Sequence, residues 1–150
     1  MITTEEIKAL REATGLSIMQ CQKALEEAGG NKEKAIALLK ARGAEIAAKK
    51  GDRSLGAGVV TSYIHTGETV GVMIELLCET DFVAKNPEFK SVARNIAMHI
   101  AAMKPENTAT LLEQPFIKDA GLKVSDLINN TVQKFGERTE VGHFVRFSIN

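Results

Sequence analysis

Val59-Val60-Thr61-Ser62-Tyr63-Ile64, followed by Thr66-Gly67-Glu68-Thr69 and then Val70-Gly71-Val72-Met73-Ile74-Glu75-Leu76-Leu77-Cys78, is the stretch on which the fold turns. Here the apolar period changes from helical to alternating, so two strands joined by a short turn are expected. On the second strand Val70, Val72, Ile74, Leu76 and Cys78 share one face, while Gly71, Met73, Glu75 and Leu77 make a mixed face that can be partly solvated. A two-stranded hairpin is marginal alone, and the neighbouring sequence must cover its apolar face.

Downstream, Asn86-Pro87 opens a helix striped by Phe89, Val92, Ala93, Ile96, Ile100 and Met103, and Lys104-Pro105 stops it. A second helix carries Val124, Leu127, Ile128, Val132 and Phe135 and ends at Gly136. From Val141 to Ile149 alternation returns, with Val141, Val145, Phe147 and Ile149 read as one side of a third strand. The expected second domain, residues 59–150, is therefore an α+β layer of three antiparallel strands covered by two helices. Three strands leave two edges, a surface for self-association.

Upstream, three short helices are expected. Thr3 with Glu6 makes a capping box, and Ile2 can staple to Ile7. Ile7, Leu10 and Ala13 share a face, and Gly15 ends the helix. Ser17 with Gln20 repeats the box ahead of Ile18, Cys21, Leu25 and Ala28, and Gly29-Gly30 breaks the run. Asn31 caps a third helix with Ala35, Ile36 and Leu39, expected to fade near Arg42-Gly43. Residues 1–45 thus form a small bundle, able to offer an apolar patch but little core. Residues 46–58, with Lys49-Lys50-Gly51-Asp52, show no apolar period and read as a linker.

Composition narrows the function. The nineteen Lys plus Arg balance nineteen Asp plus Glu, so the overall charge steers the chain toward neither nucleic acid nor anionic lipid, and its expected partner is a protein. Aromatic residues make up 5% with no Trp, which disfavours base-stacking platforms. No window reaches the length of a membrane helix and the acidic start is unlike a signal peptide, so a cytoplasmic address is expected. Cys21 and Cys78 are widely spaced, outside any Cys-x-x-Cys or Cys/His cluster, and read as small buried hydrophobes.

Signs of catalysis are sparse. Gly-x-x-x-x-Gly-Lys-Ser/Thr does not occur, so the chain itself is not expected to bind GTP or ATP. Gly-x-Ser-x-Gly and His-Glu-x-x-His are absent too; no catalytic residue, cofactor or metal is expected. His65 and His143 fall on predicted strands that folding could bring together, with solvated sheet histidines as the default. His99 borders the Phe89-Ile96-Met103 stripe and is either a half-buried histidine satisfied by backbone or a contact for a partner.

Between hairpin and helix lies Cys78-Glu79-Thr80-Asp81-Phe82-Val83-Ala84-Lys85. Generic physics has Asp81 cap a helical turn and Phe82 close the core. These residues, however, resemble the Thr-Asp-Phe-Val-Ala signature of the elongation factor Ts family, the exchange factors of elongation factor Tu. Ile7 to Gly15 and Cys21 to Leu25 are similar to that family's ubiquitin-associated (UBA)-like N-terminal domain. Ile96 to Ala102 before Lys104-Pro105, Leu112 to Phe116, and Gly142 to Phe147 resemble further family stretches in the family's order.

The resemblance implies a UBA-like bundle and a nucleotide exchange factor without covalent catalysis. Asp81 and Phe82 would insert beside the partner's Mg²⁺ and nucleotide site, supported by Thr80 and Val83. Ile18 and Met19 would grip the partner's G domain, although Ile18 alternatively completes the bundle core. One departure stands out: only Glu106 to Leu111 separates Pro105 from Leu112, where many family members carry a helical insertion and a second core half. The likeness is to a compact, single-core form, which raises a homodimer as the working unit. A different class of function is a UBA-type adaptor that captures a peptide or nascent chain while the second domain dimerises. Exchange requires Phe82 to face solvent, whereas the adaptor tolerates its burial.

Overall fold

The computed structural model describes residues 1–149; residue 150, the last position of the expected second domain, lies outside the described residues. The chain opens with α1 (Thr4–Thr14), α2 (Ile18–Glu27) and α3 (Lys32–Lys49). Both capping boxes form: the Thr3 hydroxyl accepts the Glu6 N–H at 3.2 Å and the Ser17 hydroxyl accepts that of Gln20 at 3.2 Å. Gly15 ends α1 at φ 72°, and the Asn31 side-chain Oδ1 accepts the Lys34 N–H at 3.0 Å to start α3. Leu10, Leu16, Cys21, Leu25 and Leu39 make the bundle's own core, with Ile2 and Ile7 packed on its rim.

The expected fading of the third helix near Gly43 does not occur. Helix α3 runs on to Lys49, so the first residues of the expected linker are helical. Gly43 lies where the helix meets a later one: a Cβ there would sit 3.3 Å from the Asn129 carbonyl oxygen. Its missing side chain permits close helix packing rather than ending the helix. Ahead of this contact, Lys40 donates to the Gly121 carbonyl at 2.6 Å, which ties the bundle to the rest of the protein.

Strands β1 (Ala57–Ile64) and β2 (Val70–Cys78) form the hairpin, followed by the single-turn α4 (Asp81–Ala84) and α5 (Pro87–Met103). Residues 106–123, outside the expected helices and strands, form α6 (Thr108–Glu113) and a small hairpin of β3 (Pro115–Phe116) and β4 (Asp119–Lys123). Helix α7 (Val124–Phe135) and β5 (Glu140–Ser148) complete the chain. The main sheet is antiparallel in the order β1-β2-β5. Helix α5 lies on β1 and β2, and α7 packs against α5, α6, β4 and, from the bundle, α3. The second core gathers Val72, Ile74, Leu76, Cys78, Phe89, Ile96, Ile100 and Val124.

On the third strand the sheet departs from simple alternation. Leu76 pairs with Val141 and Ile74 with Phe144, so Gly142 and His143 together oppose Glu75 as a β-bulge. The extra residue resets the period, and Val141 no longer shares a face with Val145, Phe147 and Ile149. Phe144 packs against the core instead, Arg146 donates to the Ala101 carbonyl at 3.1 Å, and Phe147 is left on the outer face, 71% exposed. Gly142 suits the bulge, since a Cβ there would meet the Glu75 carboxylate at 2.7 Å. That carboxylate accepts the His143 N–H at 2.8 Å and lies 2.9 Å from its ring. These hydrogen bonds hold Glu75 below the usual carboxylate range.

Candidate functional site

The site is built where β2 runs out. Thr80 leaves the strand and becomes an N-cap, its hydroxyl accepting the Val83 N–H at 3.4 Å, and Asp81 through Ala84 make one turn of helix. Lys85 N–H closes on the Asp81 carbonyl at 3.0 Å, and Asn86 then caps α5 by accepting the Glu88 N–H at 2.8 Å. A single turn has two sides. Val83 and Ala84, 4% and 3% exposed, occupy the side facing the core beneath Cys78, so Asp81 and Phe82 point the other way.

Phe82 is 86% exposed, and the alternative in which its ring closes the core is excluded by the residues already filling that space. An outward aromatic on a short, doubly capped turn is unusual, because burial is the ordinary fate of a phenyl ring. Thr80 and Asp81 are exposed beside it, while Val83 roots the turn and presents no surface.

A feature that the sequence did not signal braces the turn from behind. Gly136, at φ 73°, ends α7 and directs Glu137 toward the strand end. Glu137 Oε1 accepts the backbone N–H groups of Glu79 and Thr80 at 3.1 and 3.0 Å, and Oε2 accepts the Thr80 hydroxyl at 2.7 Å. In return, the Glu79 carboxylate accepts the Arg138 N–H at 2.6 Å and pairs with Arg53 at 3.3 Å. No short-range motif could have revealed contacts spanning 57 residues. The nearby Cys78 thiol is pushed up by burial, with Glu137 adding to the effect; Cys21 is raised by burial as well. Both cysteines are fully buried, as the sequence implied.

Ile18 and Met19 begin α2 and are 55% and 75% exposed, so Ile18 does not complete the bundle core; Leu16 does, at 1%. His65 lies just past the end of β1 and His143 lies on β5, so the two are on opposite sides of β2 and are not brought together. Instead, His65 Nδ1 lies 2.9 Å from the Tyr63 hydroxyl.

His99 requires a correction. With no exposed surface it offers nothing to a partner, because every face of the ring is used within the fold. Its Nδ1 accepts the Ile117 N–H at 3.1 Å, its Nε2 lies 2.9 Å from Gln114 Oε1, and the ring stacks on Phe116 at 5.8 Å. This pattern fixes a neutral imidazole with the proton on Nε2. Burial lowers its pKa from the ordinary value of 6.5. The unfolded chain therefore takes up this proton first as pH falls, and the folded state loses stability from about pH 6.5 down to the lowered folded value, with no contribution above that window. Calorimetry from pH 7.5 to 5 should show a falling melting temperature, and the slope should flatten in His99→Gln.

Comparison with known proteins adds to this geometry. The family described as "Elongation factor TS" matches residues 4–110. Over 99% of its length the chain is 41% identical to Elongation factor Ts of Carboxydothermus hydrogenoformans, covering 89% of that protein. It is 39% identical to the protein of the same name from Desulforamulus reducens and 38% to that of Moorella thermoacetica, covering 89% and 96% of them. The first of these alignments spans 194 positions against 150 residues here, so the relative carries stretches inside the matched span that this chain lacks. With its motifs, its α+β architecture and a match along nearly all of its length in agreement, the chain belongs to the elongation factor Ts family.

Proposed function

We propose that this translation elongation factor is a guanine-nucleotide exchange factor that binds elongation factor Tu in its GDP form and speeds GDP release. The observation that carries the reading is the outward Phe82 beside Asp81, presented on a braced turn. Inserted near the partner's Mg²⁺ and nucleotide site, the ring would hold a displaced arrangement of the GTPase. The Asp81 carboxylate would compete for the cation or repel the phosphates. Residues 59–150 would act on the nucleotide site, and residues 1–45 would grip the G domain through Ile18 and Met19. Residues 50–56, between α3 and β1, would join the two.

Exchange of this kind needs no covalent step. A protein that binds the empty GTPase better than the loaded one weakens GDP binding by the same factor, because linkage is reciprocal. Such work belongs in the cytoplasm, and no described helix is long and apolar enough to cross a membrane. A UBA-type adaptor has no use for an exposed Phe82, which favours exchange over that alternative. The test is release of a fluorescent GDP analogue from elongation factor Tu on adding the purified chain: acceleration is expected, and an unchanged rate sinks the reading.

We further take two copies to pair through the outer face of the main sheet. Val60 and Ile64 on β1, Met73 on β2, and Val145 and Phe147 on β5 are all exposed there, with Ile149 just beyond, and Ser62 and the Glu75–His143 pair are the polar groups among them. Light scattering should give twice the 16.2 kDa chain mass, and Phe147→Glu, which puts a charge on that face, should return the monomer. A wild-type mass of one chain removes the dimer from the scheme.

A further inference from the structure

The brace on Thr80 does more than satisfy backbone groups. Thr80 has one hydroxyl proton, and its 2.7 Å contact with Glu137 Oε2 directs that proton away from α4. The lone pairs are thereby turned toward the Val83 N–H, the cap that starts the Asp81–Ala84 turn. Two further bonds to Glu137 Oε1 fix the peptides on either side of Glu79, and the reciprocal bond from Arg138 N–H to the Glu79 carboxylate closes a ring between the end of β2 and the end of α7. The exposed turn is thus anchored to a second element and does not hang from the strand alone.

We infer that Glu137 is a positioning residue for exchange: it touches neither nucleotide nor partner, and it sets the direction in which Asp81 and Phe82 project. The inference rests on the exchange reading above. A ring held in its inserting direction loses little conformational freedom on docking, whereas a turn freed from its anchor samples directions that do not insert. Tethering through α2 is unaffected, so the defect should appear in the maximal rate rather than in the concentration of factor that gives half of it.

The experiment is nucleotide release from elongation factor Tu·GDP, titrated with the full chain and its variants. Glu137→Ala should lower the maximal rate about tenfold, the scale of losing charge-assisted hydrogen bonds, and leave the half-saturating concentration within about twofold. Glu137→Gln, whose amide oxygen can still accept both N–H groups, should recover most of the rate. A wild-type maximal rate for Glu137→Ala, a defect confined to half-saturation, or a Gln variant no better than Ala overturns the proposal.

A second readout needs no partner: in the free chain, amide hydrogen exchange at Thr80 and Val83 should speed up in Glu137→Ala, and unchanged protection also overturns the proposal. Should Glu137→Ala fail to fold, Glu137→Asp, which keeps the charge but draws the carboxylate back by one methylene from the Thr80 hydroxyl and the two N–H groups, takes its place with a rate defect in the same direction and the same overturning results. If the wild-type chain releases no nucleotide, the exchange reading falls, while the amide measurement still reports on the anchor.

Discussion

Phe82→Ala should lower the efficiency of nucleotide release by about thirtyfold, the equivalent of the ~2 kcal/mol that burying a phenyl ring against a partner contributes. Folding should barely notice. The ring is 86% exposed, touches none of the core that Val83 and Ala84 seal, and sits on a turn where alanine is the better helix former. Stability is therefore expected to stay within about 0.5 kcal/mol of the parent chain, as for most surface changes. Denaturant melts and fluorescent GDP release on the same preparation check both halves. A variant that folds like the parent and exchanges like it removes Phe82 from the mechanism. Phe82→Leu, which keeps part of the apolar area, should fall between the two.

Phe89→Ala should do the reverse, costing about 3–5 kcal/mol of stability. Phe89 is 0% exposed in the first turn of α5 and meets Phe135 of α7 edge to face at 5.9 Å. Removing it empties the place where α5 meets α7, and a rigid core refills such a space only partly. Single domains are typically stable by about 5–15 kcal/mol, so this loss alone brings the second core close to unfolding. The midpoint of a urea melt should drop steeply, while Phe89→Leu should cost under about 1.5 kcal/mol. Any fall in exchange should then track the unfolded fraction, which separates a core residue from an inserting one. A midpoint within experimental error of the parent would contradict this account of the core.

What was legible in advance was the chemistry that acts over one turn or one strand. Capping boxes at Thr3 and Ser17 join residues three apart, and both form as read. The alternation of β2 and the stripe of α5 are periodic over many residues, so each specifies its own buried face whatever packs against it. The residues of the candidate site were legible only through resemblance, because generic physics sends Phe82 inward. Its outward direction was decided by which half of a four-residue turn the core had already filled.

The sequence by itself determined where α1, α2, α3 and α5 begin, which face of β2 is apolar, and that an Asp-Phe pair stands at the junction of hairpin and helix. Those features rest on neighbours a few residues apart, whose geometry the backbone fixes locally. Tertiary structure alone decided the rest. Gly43 carries α3 onward because Asn129 of α7 lies against it, and the bulge opposite Glu75 turns Phe147 outward. Buried His99 holds the small hairpin, and Glu137 anchors Thr80 from 57 residues away. Each of these depends on which distant atoms arrive when the chain closes, and that information belongs to the packed whole rather than to any local pattern.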